Sequence, residues 1–269
     1  MRCRAVCTAF LGLGTADAFV SPLSRSVFSV KQHASVRSST RGIEMVYGKV
    51  FVAGGTKGVG RVIIDKLLGQ GSEVVALVRK EEAKTELEAI KGVTAVVADA
   101  LDLKAVEGAI DGCDAAITTL GGGEGSERVD YTGNRNVIES AGILGVTRLV
   151  MVTSVGCGSS REAISDEVYK VLEDALVAKT KAENMLLKYY TNSEWTIIRP
   201  GGLITADATG NAVLTEDTKG AGVIHRADVA DLAVKALESQ QTVRKILTAV
   251  DPSIKNQYTS DATIESFVL

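Results

Sequence analysis

The sequence predicts an α/β protein, with a doubly wound parallel sheet covered by helices on both faces, in a single domain. Three observations carry this expectation. From residue 46 onward, short β-prone runs alternate with helical runs, with no linker, internal repeat or low-complexity tract between them. Val, Ala, Ile and Leu abound while aromatics are only 4% of the 269 residues, as expected for strands buried on both faces. A glycine-rich turn joins the first of these strands to the first helix. Length alone leaves one large or two small domains open. Hydrophobic residues at 45% and charged residues at 23% are ordinary for a globular chain, and three prolines with 27 glycines exclude a collagen-like or Pro-rich architecture. No apolar run approaches the ~18 residues of a membrane-spanning helix.

Taken in order, 49–53 is a β-prone run halted by glycines, and 59–68 spaces its apolar residues as a helix does before a stop at Gly69. Residues 73–78 read as the second strand and 80–90 as a polar helix. A third strand over 93–98 ends at Asp99, a short helix covers 103–110, and a fourth strand over 114–120 runs into Gly121-Gly122-Gly123. Residues 130–144 read as a helix with Asp130 at its N-cap. A fifth strand over 148–153, a long helix over 166–190, a sixth strand over 195–199, a helix over 229–238 and a final strand over 245–250 complete the alternation.

The first 43 residues are expected to lie outside this fold. Arg2 and Arg4 precede a short apolar run, 5–14, and the small-residue triplet Ala16-Asp17-Ala18 follows, the order of a secretory signal peptide over residues 1–18. Over 19–42 the only charges are Arg25, Lys31, Arg37 and Arg41, and Ser and Thr recur, which gives residues 19–44 the composition of a transit peptide. A signal peptide followed by Phe19 and such a stretch resembles the bipartite plastid-targeting presequence of algae with secondary plastids, where a Phe sits just after the cleavage point. That resemblance implies delivery to the plastid stroma. Residues 1–43 hold six basic residues and one acid, so the rest of the chain sets 24 Lys and Arg against 32 Asp and Glu, a net charge of −8. An acidic domain lacks the electrostatic footprint of a nucleic-acid binder. The domain is expected over 46–255, with a tail over 256–269.

The strongest chemical signal follows the first strand: Gly54-Gly55-Thr56-Lys57-Gly58-Val59-Gly60, with a helix beginning inside it. Glycines here serve a tight turn, close approach of backbone to a pyrophosphate, and close packing of helix on strand. The helix N-terminus then directs N–H groups and the positive end of its dipole at phosphate. A dinucleotide site is expected. The spacing of Gly54, Gly58 and Gly60 resembles the loop of short-chain dehydrogenase/reductases. Further along stand Val78-Arg79, Asp99, Asp130-Tyr131-Thr132-Gly133-Asn134-Arg135-Asn136, Val152-Thr153-Ser154-Val155-Gly156, Ala178-Lys179, Ile197-Ile198-Arg199-Pro200-Gly201 and Arg226-Ala227-Asp228-Val229-Ala230. Together these look like the atypical branch of that superfamily, close to its NmrA-like, flavin-reductase-like and plastid dehydrogenase-like members. The resemblance covers nearly the whole chain from residue 48 and implies a Rossmann fold. It also implies cofactor contacts from the glycine loop, Arg79, Asp99-Ala100, Leu120-Gly121, Lys179 and Pro200-Gly201.

Cofactor choice turns on the end of the second strand. NAD usually finds an acid there for its ribose 2′-hydroxyl, whereas an Arg accommodates the 2′-phosphate of NADP. This chain has Arg79-Lys80 and no acid until Glu81, so NADP is expected, with Lys57 as a second charge.

At the catalytic centre the sequence departs from its family. Active short-chain dehydrogenases place a Tyr four residues before a Lys, one helical turn apart, so that the ammonium depresses the phenol pKa, with a Ser at the end of the fifth strand. Ser154 and Lys179 match the Ser and the Lys and are the candidate catalytic residues; Ser154 is equally readable as a strand-end hydroxyl and Lys179 as a ribose contact. Four residues before Lys179 stands Ala175, and a methyl group cannot exchange a proton. Tyr169 is ten residues from Lys179, off the motif, and Tyr131 is expected to pack. Family members lacking the Tyr either reduce substrates that need no enzyme acid, as in flavin reduction, or only bind the nucleotide.

Cys113 and Cys157 are expected at opposite ends of the sheet, too far apart for a disulfide, each either a small buried hydrophobe or, for Cys157, a redox sensor. After the leader, His225 is the only histidine, which leaves no His-based metal site or Ser/His/Asp triad. Two function classes follow: a plastid NADP-dependent oxidoreductase acting on a conjugated small molecule, or a non-catalytic NADP-binding regulator or assembly factor. With the sequence ending at Leu269, the long reductase-binding repeat tail of one plastid member is not expected.

Overall fold

The structure, a computed structural model, describes residues 35–39, 42–122, 128–255 and 264–269. The signal-peptide segment 1–18 and the stretch 19–34 of the transit-like segment lie outside the described residues. Strands β1 (Ser35–Ser39) and β2 (Gly42–Val46) form an antiparallel hairpin that, among the described residues, pairs with no other strand. Regular backbone therefore begins ahead of residue 46.

The next stretch alternates as expected: β3 (Lys49–Ala53), α1 (Gly58–Gly69), β4 (Glu73–Val78), α2 (Glu81–Glu88), β5 (Val93–Val97), α3 (Leu103–Ile110), β6 (Ala115–Thr118), α4 (Asn134–Leu144) and β7 (Arg148–Val152). There follow α5 (Asp166–Tyr189), β8 (Glu194–Pro200), β9 (Gly202–Ile204), β10 (Val213–Thr215), β11 (Val223–His225), α6 (Arg226–Glu238) and β12 (Lys245–Val250). Eight strands form one sheet in the order β10-β12-β8-β7-β6-β3-β4-β5, parallel throughout except for β10, which runs antiparallel to β12 at the edge. This is the doubly wound single α/β domain expected from the alternation.

The pleat explains why the strands read as continuous apolar runs. Val50 and Val52 of β3 join one hydrophobic cluster, with Ile63 and Leu67 of α1 and Val229 and Ala233 of α6. Phe51 and Ala53 point the other way, into a cluster with Ile110 of α3, Ile138 of α4 and Leu186 of α5. Successive side chains face opposite layers, so the central strands are apolar on both faces along most of their length. The final residues return to this core: the Phe267 N–H donates to Leu214 O at 2.6 Å, and Phe267 and Leu269 pack against the first cluster.

Two local expectations change. Asp130 is not an N-cap, because the chain makes a π-helical turn over Arg128–Gly133 and Gly133 occupies the N-cap position of α4. Strands β9, β10 and β11 arise between the sixth expected strand and the helix expected over 229–238, an interval for which the sequence predicts no element. Each has three residues, too short to display a period, and each pairs with a segment distant in sequence.

A buried cation ties the base of the fold together. Arg148, 1% exposed, donates from Nε to Leu237 O at 2.8 Å, from Nη1 to Glu194 O at 2.6 Å and Thr196 Oγ1 at 3.0 Å, and from Nη2 to Thr242 Oγ1 at 3.0 Å and to Ala236 O. The carbonyls of Ala236 and Leu237 are orphans of the last turn of α6, where a cation also meets the negative end of the helix dipole. Burial lowers the Arg148 pKa to about 10, still far above neutrality, so the charge persists. Arg148→Met strands these acceptors and is expected to destabilise the domain by at least ~3 kcal/mol in a denaturant titration; a loss below ~1 kcal/mol would refute the clamp.

Candidate functional site

The strand order turns at β3, where β4 departs to one side and β6 to the other. In an open α/β sheet this switch opens a crevice at the carboxyl ends of the strands. Gly54 leaves β3 with φ +87°, and Gly58 opens α1 with φ +61°, a region that favours glycine. A Cβ on Gly60 would lie 2.3 Å from Gly54 O and 2.7 Å from Thr119 Oγ1, so the helix can approach the strand this closely only with glycine there. Thr119 fastens the turn, its hydroxyl donating to Ala53 O at 3.2 Å.

Gly55 is buried, Thr56 and Lys57 are exposed, and Val59 is buried. No side chain caps α1 and no acid lies in its first turn. The first-turn N–H groups thus have neither a capping side chain nor a carboxylate for a partner, and the residues present fit an anionic diphosphate. Arg79 and Lys80 are exposed immediately beyond β4, the strand paired with β3. Asp99 binds its own turn, accepting from the Leu101 N–H at 2.9 Å, and Ala100 is buried with its carbonyl accepting from Asn136 at 2.9 Å.

The centre of the crevice holds a buried ion pair. Lys179 Nζ on α5 lies 2.8 Å from Asp130 Oδ1, with side chains 13% and 0% exposed, and donates to Leu120 O at 3.0 Å. A Cβ on Gly121 would stand 2.5 Å from Lys179 Nζ and 2.6 Å from Asp130 Oδ1, so Gly121 is required for the pair to close. Asn134 braces the turn that carries Asp130: its Nδ2 donates to Asp130 O at 2.9 Å, and its Oδ1 accepts from Thr118 at 2.6 Å. Asp130 and Asn134 stand four residues apart, a spacing that puts both on one helical face, and both are fully buried.

Ser154, half-buried beyond β7, donates its hydroxyl to Val155 O at 2.9 Å, onto its own loop and not toward Lys179. Beneath it Thr153 donates to Glu183 Oε1 at 2.7 Å, and Glu183 receives Arg199 bidentately at 3.1 and 2.7 Å, with side chains 1% and 3% exposed. Pro200 ends β8 in the core, and Gly201 is held by its N–H to Ala249 O at 2.9 Å.

Ala175 lies one turn before Lys179 on α5. Tyr169 is ~15 Å away along that helix, at ~1.5 Å per residue, and its ring lies 3.8 Å beneath the Arg161 guanidinium. Tyr131 packs against the core. Neither tyrosine takes the place of the absent phenol. Cys113 and Cys157 are free and buried, and burial raises both thiols to about 12, which makes them poor thiolates. Among the described residues, no group of three or more His, Cys, Asp or Glu is placed to hold a metal.

Sequence alone singles out Lys179 but not Asp130, Asn134, Glu183, Arg199 or Asp228 as site residues. All but Glu183 sit inside a motif of the family resemblance, and the signal that could have found them is an ionisable or amide side chain in a stretch that is otherwise core. Asp228 shows the pattern, 2% exposed and accepting from the Thr209 and Gly210 N–H groups at 2.9 and 3.0 Å.

Comparisons with known proteins agree with this geometry. A family model described as NAD(P)H-binding matches residues 54–240. An uncharacterized chloroplastic protein of Arabidopsis thaliana is 35% identical over 215 residues, covering 75% of this chain and 76% of the relative. The uncharacterized sugar epimerase YhfK of Bacillus subtilis (strain 168) is 33% identical over 201 residues, 72% of this chain and 90% of the relative. Among solved structures, ChuY, an anaerobillin reductase from Escherichia coli O157:H7, superposes with TM-score 0.70 at 31% identity, covering 77% of this chain and 99% of ChuY. A crevice shaped by Gly54, Gly58 and Gly60 at the switch of a doubly wound sheet, and a family match spanning most of the domain, lead to one assignment: the chain belongs to the NAD(P)H-binding family of Rossmann-like proteins.

Proposed function

We propose that the protein is an NADP(H)-dependent oxidoreductase of the plastid that reduces a conjugated small molecule. The observation that carries this reading is the pairing of an intact cradle and a fixed Lys179 with Ala175 where a proton-donating phenol would stand. A bound reduced nicotinamide supplies hydride. Lys179, held by Asp130 and Leu120 O, contacts the cofactor ribose and offers positive potential where charge develops on the acceptor. Ser154 supplies a hydroxyl at the rim once it turns from Val155 O. With Ala175 contributing no acid, water protonates the product, which suits an acceptor whose anion is delocalised. Leu203 and Ile204, 41% and 37% exposed on β9 just beyond β8, provide an apolar wall for a flat ligand. The reductase among the similar structures supports the chemistry, and the chloroplastic relative supports the compartment.

The same Ala175 gives weight to a second reading, a nucleotide-binding regulator or assembly factor that performs no chemistry. Turnover separates the two. Wild type is expected to oxidise NADPH with flavin or quinone acceptors and to show negligible activity on simple ketones. Ala175→Tyr, restoring the phenol one turn from Lys179, is expected to raise the ketone rate, since general acid catalysis contributes ~10²–10⁴-fold. Robust wild-type reduction of an unactivated ketone would show the acid to be elsewhere, and NADPH binding without turnover on either class would favour the regulator.

Arg79 is proposed to pair with the 2′-phosphate, aided by Lys57. Arg79→Ala is expected to weaken NADPH by ~10- to 100-fold, the range for charge-assisted hydrogen bonds, while leaving NADH nearly unchanged. Equal wild-type affinity for NADPH and NADH in calorimetry would remove this role. Import through the leader predicts a mature N-terminus at or beyond Phe19 in protein isolated from plastids. Sequencing that begins at Met1, or a cytosolic fluorescent fusion, would overturn it.

A further inference from the structure

A cation outside the glycine loop lies against it. Arg226 is the first residue of α6, yet its side chain runs back across the start of α1: a Cβ on Gly58 would meet Arg226 Cδ at 3.8 Å and Nε at 3.9 Å, ordinary van der Waals contact. Its position gains nothing from its own helix, since a cation in the first turn opposes the macrodipole. Both of its hydrogen bonds leave from Nη1, to Leu203 O at 3.2 Å and Thr205 Oγ1 at 2.8 Å. Among the described residues, Nε and Nη2 carry none. The guanidinium is thus anchored on one nitrogen to the end of β9, with two donors remaining beside an uncapped helix terminus.

We infer that Arg226 is a ligand of the cofactor diphosphate and that, through Leu203 and Thr205, it fastens β9 to the bound dinucleotide. The inference rests on reading the cradle as a dinucleotide site and extends it to a residue far along the chain. A planar fork suits such a double contact, because one nitrogen holds protein while the remaining donors address phosphate oxygens. The cofactor would then be gripped by cations at separate points, Arg79 at the adenosine end, Arg226 at the diphosphate and Lys179 at the nicotinamide end. Because β9 carries the apolar wall formed by Leu203 and Ile204, cofactor binding would also order the surface that receives the acceptor.

The test is binding, not turnover. NADPH and adenosine 2′-phosphate, which has the 2′-phosphate but no diphosphate, are titrated into wild type, Arg226→Ala and Arg226→Lys. Arg226→Ala is expected to weaken NADPH by ~10- to 100-fold and to leave adenosine 2′-phosphate unchanged, whereas Arg79→Ala weakens both. Arg226→Lys, which keeps the charge without the fork, recovers part of the NADPH affinity. Unchanged NADPH affinity in Arg226→Ala overturns the inference, and so does an equal loss for both ligands, which would mark a general disturbance of the fold. Wild type that binds no NADPH overturns the dinucleotide reading itself, and the inference with it, an outcome distinguishable because it needs no substitution.

Discussion

The close approach of α1 to the end of β3 is the constraint on which the crevice depends. With Gly60 resting 2.3 Å, measured from a notional Cβ, from the Gly54 carbonyl, no other residue type could bring the helix N-terminus so near the strand. That nearness aims the first-turn N–H groups into the switch point, where the diverging connections leave room for a ligand. It also fixes where α6 must lie, because α1 and α6 share one hydrophobic cluster over the same sheet face, and so it brings Arg226 to Gly58. A methyl group at position 60 would therefore disturb a turn, a helix and a distant cation together.

Around this crevice the domain places charges where a purely apolar core would be simpler. Asp130 with Lys179, Glu183 with Arg199, and Arg148 with its ring of carbonyls and hydroxyls are all largely withdrawn from solvent. Desolvating such groups costs several kcal/mol each, and the attraction regained in a low dielectric offsets that only when geometry and hydrogen bonding are good. The three cases divide by purpose. Arg148 closes the carbonyl end of α6 far from the crevice, and Glu183 with Arg199 joins α5 to β8 beneath the loop bearing Ser154. Asp130 with Lys179 alone lies at the crevice, beside a glycine that leaves space for it. That pair fixes the Lys179 ammonium against Leu120 O, at the carboxyl end of β6.

What the sequence determined by itself was local. Short, continuous β-prone runs alternating with helically spaced apolar residues located the six strands from β3 to β8, the last strand and all six helices, because strands buried on both faces are apolar throughout and helices only on one side. The glycine spacing announced the cradle, and Ala175 four residues before Lys179 announced a missing acid, since both are matters of residue type at short separation. Three-residue strands such as β9 and β11 escaped, having no period to show. Tertiary structure alone decided the pairs: Asp130 with Lys179, Arg148 with Leu237 across 89 residues of sequence, Arg226 against Gly58, and Ser154 turned onto Val155. A pattern along the chain says which face of an element is buried, but which polar groups meet is set by how the layers stack, and at the crevice that is what turns a nucleotide cradle into a particular site.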